Sequence, residues 1–303
     1  MLQKFLKYIR YEKGYSSHTV LSYNNDISQF EEYLQQYIGE VDHTLVDSDV
    51  IRGYVVWLME NKITPRSVGR KLSALRTFYK YLVKIKAISM SPAAMVAKPK
   101  EAKPLPSFVK PSEMTLLLDE FENGDDNSFV SVRDRLMLDM LYQTGMRRAE
   151  MIQLKDADVD LLARTIKVTG KRNKQRIIPY GAELHSEIEK YIQVRNREVG
   201  LEVSAFFVKE DGEPLYPMLV YRIVKDNLSK ISTLSKLSPH VLRHTFASAM
   251  LNNGAEMDSV KELLGHASLT STQVYTHITF EELKYSYNHA HPRALKKGGL
   301  YGD

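Results

Sequence analysis

Residues 238–255 read SPHVLRHTFASAMLNNGA, and residues 263–278 read LLGHASLTSTQVYTHI. In the first stretch, His240 and Arg243 are three residues apart on a predicted helix and therefore share one face. In the second, Tyr275 follows His266 by nine residues. Imidazole moves protons near neutral pH, guanidinium clamps phosphate oxygens, and a phenol can be a nucleophile. Taken alone, however, Tyr275 is one of 18 tyrosines and carries little information.

Two further segments place basic side chains at predicted turns. Residues 144–150, TGMRRAE, put paired arginines two and three residues after a glycine, where they could bind phosphate oxygens. An ion pair with Glu150 is the simpler explanation for that segment by itself. Residues 170–175, GKRNKQ, form the turn between two predicted strands, and a basic turn either enters a DNA groove or only aids solubility. The basic residues of this turn are Lys171, Arg172 and Lys174.

Metal chemistry is disfavoured by the same residues. His240 and His244 are four apart, which permits a zinc site on a helix. The pattern lacks the acidic residue of the HExxH motif, and Arg243 between the histidines would repel a cation. The chain has no cysteine, so disulfides, thiolate nucleophiles and cysteine-based metal sites are excluded. We expect no cofactor.

Length and composition are those of a globular protein. A chain of 303 residues with 43% hydrophobic content predicts two domains with sizeable cores. No apolar run approaches the roughly 20 residues of a membrane span. The N-terminal sequence, MLQKFLKYIRYEKG, lacks the apolar centre of a secretory signal. We therefore expect a cytoplasmic protein with no membrane contact.

Positive charge is concentrated in the first third of the chain. The net charge is +5, but residues 1–107 carry 16 basic and 10 acidic residues, and the remainder carries 26 basic and 27 acidic residues. This first third predicts four helices, the last of which begins near Thr64-Pro65 and runs to about Lys86. The apolar residues of that helix can face a core, and they are Val68, Leu72, Leu75, Phe78, Tyr79 and Leu82. Its other face is basic, which favours phosphate binding over the alternative of a solvated surface. Its basic residues are Arg66, Arg70, Lys71, Arg76 and Lys80.

A proline-rich segment separates this part from the rest. Residues 91–107, SPAAMVAKPKEAKPLPS, combine four prolines with four charges and little apolar periodicity, which indicates an extended linker. We predict an N-terminal domain over residues 1–98, a linker over 99–107 and a second domain over 108–303. The second domain predicts helices with a hairpin of strands, Thr165–Thr169 and Arg176–Tyr180, and a third strand near 204–209.

The joint order of these motifs is more informative than any single one. Arg147 is followed 24 residues later by Lys171, then by the H-x-x-R pattern of residues 240–243, then by His266 and Tyr275. This order resembles the tyrosine recombinases of the phage-integrase family, most closely the XerC/XerD subgroup. The resemblance covers nearly the whole chain. Two departures, Ala149 for a common Ser and Ser248-Ala249 for a common Thr-His, do not touch a catalytic place.

The resemblance implies a mainly α fold with a small antiparallel β-sheet in the catalytic domain. It implies a helical, SAM-like N-terminal DNA-binding domain and a mixed α/β catalytic domain that together form a C-shaped clamp. The run from Phe280 to Asp303 is similar to the family's last helix, which docks on a neighbouring subunit.

The resemblance also assigns the site residues. Tyr275 would be the nucleophile, Lys171 the general acid, and His240 a proton-transfer group. Glu150 would support the first arginine, and Arg148 is the weaker candidate for the clamp. The six implied catalytic residues are Arg147, Lys171, His240, Arg243, His266 and Tyr275.

The implied function is site-specific cleavage and rejoining of double-stranded DNA, through a 3′-phosphotyrosine and a Holliday junction, without metal or ATP. Its partners would be a recombination site and a homotetramer, or a heterotetramer with a paralogue. A DNA translocase of the FtsK type is a further candidate partner. Resolution of chromosome dimers competes with the role of a mobile-element integrase or invertase. A type IB topoisomerase and a catalytically silent DNA-binding regulator stay open as other classes.

Overall fold

The computed structural model describes residues 1–39, 41–101, 108–123, 127–170, 173–200, 205–234, 237–265 and 279–294. The chain forms two compact units, Met1–Pro104 and Leu105–Asp303. Each unit has a hydrophobic core of its own. The finer boundaries given above for the N-terminal domain and the linker stay a prediction.

The described residues of the first unit fold as helices whose starts are marked by side-chain caps. Ser16, Asp47 and Thr64 each accept a hydrogen bond from a backbone N–H of the helix that follows. Such caps stabilise a helix start because the first N–H groups have no partner within the helix. The helices are α1 (Leu2–Lys7), continued by a π-helical turn (Tyr8–Glu12), α2 (Ser17–Tyr37), α3 (Ser48–Glu60) and α4 (Pro65–Lys84).

Helix α4 supplies the largest share of the first core. Its apolar residues repeat at helical spacing and lie against α2 and α3. Burial of each large apolar side chain stabilises the fold by about 1.5–3 kcal/mol. The predicted core face is confirmed, because all its members are buried: Val68, Leu72, Leu75, Phe78, Tyr79 and Leu82.

The second unit places a three-stranded sheet among helices, and the predicted mainly α class with a small antiparallel sheet is confirmed. Its helices within the described residues are α5 (Pro111–Asn123), α6 (Phe129–Thr144), α7 (Arg148–Ile152), α8 (Ala182–Glu198), α9 (Pro217–Ile231), α10 (Pro239–Asn252), α11 (Met257–Leu264) and α12 (Phe280–Ala290). Its strands are β1 (Val159–Asp160), β2 (Thr165–Thr169) and β3 (Gln175–Pro179).

Helix α6 is the central element of this unit. It is buried on nearly every side, and it packs against α8 and α10. Its polar residues are bonded rather than exposed: Gln143 donates to Asp139 (2.9 Å) and accepts from Tyr287 of α12 (3.2 Å). Complete burial raises the pKa of Asp139 to about 6, although the nearby Arg293 guanidinium opposes the shift. These contacts hold α12 on α6.

The sheet has the order β1-β2-β3, and both pairs are antiparallel. The predicted hairpin of β2 and β3 is confirmed, whereas the predicted third strand near 204–209 is wrong. In the described part of that segment, Val208 makes an isolated bridge to Pro214. The carbonyl of Phe206 accepts instead from the side chains of Tyr191 and Arg195, both at 3.0 Å. The third strand is β1, which is too short for its pattern to indicate a strand.

A buried arginine on α8 joins that helix to the start of the sheet. The Arg195 side chain is 1% exposed, and its two terminal nitrogens donate to the two carboxylate oxygens of Asp156, both at 2.7 Å. The Asp156 side chain is 54% exposed. Arg195 is therefore the partner that has been removed from water. Its buried positive charge is neutralised by the carboxylate of Asp156.

We predict that Asp156→Asn lowers the free energy of unfolding by about 3 kcal/mol, because it leaves a buried guanidinium without a countercharge. Urea unfolding followed by circular dichroism measures the loss. The matched control is Glu198→Gln on the same helix, since Glu198 pairs with Arg197 at the surface. That change should cost less than about 1 kcal/mol. Equal losses in the two variants would contradict the role given to the buried pair.

Candidate active site

Gly145 ends α6 and sets the direction of the chain into the site. Its φ of 58° lies in the left-handed region, which favours glycine. A β-carbon at this position would lie 2.5 Å from Phe246 Cδ1 and 2.9 Å from Leu264 Cδ2. Both the backbone conformation and the packing therefore require glycine, and the chain reverses to bring Arg147 to the N-cap of α7.

Arg147 is held at the start of α7 by Glu150. The backbone N–H of Arg147 donates to Glu150 Oε2, and its Nη1 donates to Glu150 Oε1, both at 2.7 Å. Its Nη2 donates to the carbonyl of Gly265 at 3.2 Å. About two fifths of the side chain, 39%, stays exposed. Arg147 is thus fixed in place while part of its guanidinium can still meet a ligand.

Arg243 of α10 lies in the same place and is also bound to the backbone. Its Nη1 donates to the carbonyl of Gly145 (2.7 Å) and its Nη2 to the carbonyl of Leu264 (2.6 Å). Burial, together with the neighbouring guanidiniums of Arg147 and Arg176, lowers the pKa of Arg243 to about 10. The side chain therefore stays cationic at neutral pH, and the clustered positive charge favours an anionic ligand.

Glu150 is the acidic member of this cluster. Burial would raise the pKa of its carboxyl, but hydrogen bonds from Arg176 and Arg147 outweigh burial and hold that pKa below its usual range. The carboxylate is ionised at neutral pH and buried. The structure thus brings Glu150 to the first arginine, in contact with it.

His240 lies one turn before Arg243 at the start of α10, and the residue is exposed. Partial loss of hydration of the ring at the helix start and the positive charges of Arg148, His244, Arg243 and Arg147 lower its pKa. The imidazole is therefore neutral at physiological pH, the form that can accept a proton.

Arg148 points away from this cluster. Its Nη1 donates to the carbonyl of Pro217, at the start of α9, at 3.1 Å. Its positive charge contributes to the lowered pKa of His240. The geometry brings Arg147, rather than Arg148, to Glu150 and to the end of α11.

Four of the residues singled out in the sequence, Lys171, Arg172, His266 and Tyr275, lie outside the described residues. The residues that precede two of them are described. A β-carbon on Gly170 would lie 3.4 Å from Glu150 Oε1 and 3.9 Å from Arg147 Nη1. The carbonyl of Gly265 is the one that Arg147 binds. Both chain segments are therefore described up to a glycine that contacts this cluster.

One contributor to the cluster was not singled out from the sequence. Arg176 of β3 donates to both carboxylate oxygens of Glu150, each at 2.9 Å. The available signal was its place in the strand, because Arg176 alternates with the buried Ile178 and so lies on the inward face. An arginine on the apolar face of a short strand needs a buried partner.

The basic stripe of α4 divides into two kinds of residue. Lys71 donates to the buried Asp26 at 3.0 Å, and Arg70 pairs with the same carboxylate. Arg76 donates to two backbone carbonyls, those of Ala93 (3.2 Å) and Val96 (2.5 Å). Lys71 and Arg76 are thus bonded within the unit and only partly exposed, whereas three residues of the stripe are exposed: Arg66, Arg70 and Lys80. In the second unit, Lys174 is exposed as well.

The described residues offer no candidate metal site and no candidate membrane span. No group of three histidine, aspartate or glutamate side chains there is placed to hold a metal ion. In the same part of the chain, no helix is both long and apolar enough to cross a bilayer.

Comparison with known proteins matches both units. The phage integrase family matches residues 107–282, and the N-terminal SAM-like domain of phage integrases matches residues 2–86. The tyrosine recombinase XerC of Chlorobaculum parvum is 39% identical, with 97% of this chain and 94% of that protein covered. XerC of Anoxybacillus flavithermus is 38% identical, over 97% of this chain and 98% of that protein.

Two solved structures share the fold. The XerH recombinase bound to its difH substrate gives a TM-score of 0.70 at 22% identity, covering 94% of this chain and 84% of that one. The integrase of transposon Tn1549 with circular intermediate DNA gives 0.71 at 19% identity, covering 94% and 97%. The expected resemblance is confirmed: this chain belongs to the phage integrase family of tyrosine recombinases, enzymes that cleave and rejoin DNA.

Proposed function

We propose that this protein is an Xer-type site-specific recombinase that cuts and rejoins DNA through a 3′-phosphotyrosine formed on Tyr275. The observation that carries the proposal is the pair of guanidiniums, Arg147 and Arg243, fixed on backbone carbonyls at the ends of α6 and α11. The similarity to XerC proteins over nearly the full chain supports the Xer assignment.

The reaction we propose is a transesterification at phosphorus. The phenol oxygen of Tyr275 attacks, the bond from phosphorus to the 5′ oxygen breaks, and the 3′ phosphate stays on the tyrosine. His240 assists removal of the phenol proton, and Lys171 protonates the leaving 5′ oxygen. Attack by a 5′ hydroxyl of a partner duplex then reverses these steps and reseals the strand. The ester energy is kept in the phosphotyrosine, so the cycle needs neither metal nor ATP.

The two arginines and His266 stabilise the charge that grows on the non-bridging oxygens. Donors fixed before the reaction act strongly because they do not reorganise as charge develops. Arg243 is buried and bound at two carbonyls, and Arg147 is bound at Glu150 and Gly265. These contacts support the assignment of both as phosphate clamps.

The DNA-binding role extends to the first unit. We propose that Arg66, Arg70 and Lys80 bind phosphates, since they are the exposed residues of the α4 stripe. We assign Arg172 and Lys174 of the β2–β3 turn the same role. Lys71 and Arg76 are proposed to act indirectly, by fixing the surface on which the exposed residues lie.

We further propose that four protomers act on two duplexes, as a homotetramer or with a paralogue, through a Holliday junction. The cellular role would be resolution of chromosome dimers in the cytoplasm, with a translocase of the FtsK type as activator. The helix α12 and the residues after it are assigned to contact between protomers. The 38–39% identity to XerC proteins supports this role over that of a mobile-element integrase.

We predict that the protein forms a covalent adduct with a nicked half-site substrate, and that Tyr275→Phe abolishes it. Denaturing electrophoresis with labelled DNA measures the adduct. The control, Tyr11→Phe, removes the hydroxyl of an exposed tyrosine in the turn after α1 and should leave adduct formation unchanged.

The adduct assay, together with DNA-binding and plasmid-relaxation assays, distinguishes the alternative functions. An adduct that survives Tyr275→Phe would contradict the nucleophile. Sequence-specific binding without any adduct would identify a silent regulator, and relaxation of plasmids that lack a target site would identify a topoisomerase. Mapping the genomic sites trapped by the protein tells an Xer site from the ends of a mobile element.

We predict that Arg147→Lys slows single-turnover cleavage by about 100-fold or more, because lysine keeps the charge but loses the planar fork that spans phosphate oxygens. DNA affinity, measured by gel shift, should change far less. Arg222→Lys is the control, since Arg222 is exposed on α9 and donates to the hydroxyl of Tyr216 at 2.8 Å. A cleavage rate within a few-fold of the native rate would contradict the assignment of Arg147 to phosphate binding.

We predict that the pKa of His240 in the free protein lies below the ordinary value of about 6.5. A cleavage step that needs neutral imidazole therefore persists into mildly acidic solution and is lost as pH falls through the lowered pKa. Arg148→Gln removes one of the charges responsible and should raise that pKa. Titration of the ring proton by NMR measures the shift, and Arg197→Gln, at the surface of α8, should leave it unchanged.

A further inference from the structure

Arg176 of β3 has its hydrogen bonds directed inward. The side chain is 9% exposed. Its Nη1 and Nη2 donate to the two oxygens of Glu150, both at 2.9 Å, and its Nε donates to the carbonyl of Leu263 at 2.6 Å. Every nitrogen of the guanidinium is therefore hydrogen-bonded within the protein, and Arg176 is much less exposed than Arg147, whose side chain is 39% exposed.

The carbonyls at the end of α11 are bound by three different arginines. Leu263 accepts from Arg176, Leu264 from Arg243 and Gly265 from Arg147. The last carbonyls of a helix lack partners within it and carry partial negative charge. Cations are stable there, and consecutive carbonyls fix the spacing between the guanidiniums. The end of α11 thus fixes the positions of Arg147 and Arg243, the two arginines proposed to bind the phosphate.

Glu150 is shared between two of these arginines. It accepts two bonds from Arg147, through the backbone N–H and Nη1, and two from Arg176. The carboxylate is buried, and a buried carboxylate keeps its charge only when it is well paired. Removing Arg176 would take away half of these bonds, and with them the support for ionised Glu150.

Arg176 also connects segments that are distant in the chain. It lies on the strand that leaves the β2–β3 turn, five residues after Lys171. The carbonyl that it binds, that of Leu263, is three residues before His266. A β-carbon on Gly265 would lie 3.1 Å from Arg176 Cδ, so the side chain also packs tightly against the end of α11. One side chain therefore ties β3, α7 and α11 together.

We propose that Arg176 is a positioning residue for DNA cleavage, which holds Arg147 through Glu150 and fixes the end of α11 relative to the β2–β3 turn. The inference rests on the proposed function, since it assigns Arg147 and Arg243 to the scissile phosphate. Arg176 is assigned no contact with the phosphate, because its charge is already paired with the carboxylate of Glu150, whereas Arg243 is bound to neutral carbonyls.

The test compares Arg176→Gln with Arg195→Lys and native protein. Arg195 is a matched control, because it is also a buried arginine bound to both oxygens of a carboxylate and to a carbonyl, but it lies on α8 and binds Asp156 and Phe206. Single-turnover cleavage of the half-site substrate is measured per folded molecule, with the folded fraction taken from circular dichroism. DNA affinity is measured in parallel by gel shift.

We predict that Arg176→Gln slows cleavage by about 100-fold, the loss typical of a displaced catalytic group, with DNA affinity changed by less than about 3-fold. Arg195→Lys should lower thermal stability and leave the rate per folded molecule unchanged. Arg176→Lys, which restores the charge beside Glu150 but not the three-way bonding, should recover part of the rate. It also serves as the test variant if Arg176→Gln does not fold.

A pH profile gives a readout that a purely structural role would not move. The charged groups that face Glu150 among the described residues are Arg147 beside α7, Arg176 of β3 and Arg243 of α10. Without Arg176, burial raises the pKa of Glu150, so the carboxyl takes up a proton as pH falls from neutral and releases Arg147. The cleavage rate of Arg176→Gln should therefore fall more steeply with acid than the native rate.

The possible failures are distinct. If native protein forms no adduct, the proposed function is overturned, and with it this inference. If native protein cleaves and Arg176→Gln cleaves at the native rate, or if both substitutions slow cleavage equally with unchanged pH profiles, the positioning role alone is overturned. A Glu150→Gln background distinguishes the action of Arg176 through Glu150 from its contact with the end of α11. In that background, Arg176→Gln should add no pH dependence to the cleavage rate, because no carboxyl is left at position 150 to take up a proton.

Discussion

The buried carboxylate of Glu150 is the constraint on which the site depends. Removing a carboxylate from water costs several kcal/mol, which is recovered only when its oxygens are fully paired with charged donors. Here the donors come from the start of α7 and from β3. Burying Glu150 therefore forces these two elements together, and Arg147 is brought to its place as a consequence. The same carboxylate limits the repulsion among three neighbouring guanidiniums.

The guanidiniums of Arg147, Arg176 and Arg243 still repel one another, and this excess of positive charge favours an anionic ligand. The lowered pKa of Arg243 reports that its positive charge is destabilised by burial and by its neighbours. Backbone carbonyls at the ends of α6 and α11 offset part of this cost, but dipoles do not neutralise a charge. In the function proposed above, a phosphate bound between Arg147 and Arg243 would supply the missing countercharge. The protein thus stores part of the binding free energy in the arrangement of its own cations.

The basic stripe of α4 illustrates a limit of charge patterns. Helical spacing correctly predicted the buried face of α4, because burial follows from periodicity alone. It could not tell which cations face solvent, since Asp26 lies in another helix and the carbonyls of Ala93 and Val96 lie beyond the helix end. Lys71 and Arg76 are hydrogen-bonded to those partners and are only partly exposed. Partners distant in the sequence likewise explain why the predicted strand near Phe206 is wrong. The carbonyl of Phe206 is bound by side chains of α8 and not by a neighbouring strand.

The sequence by itself determined the helices, the β2–β3 hairpin, the two cores and the family, because these follow from local spacing and from the order of motifs. It also singled out Arg147, Glu150, His240 and Arg243. Only the tertiary structure decided how the arginines are held. Arg147 binds a carbonyl 118 residues away, and Arg243 binds one 98 residues away. Backbone carbonyls exist at every residue, so no side-chain pattern marks the ones at the end of α11 or predicts that Arg176 binds one of them.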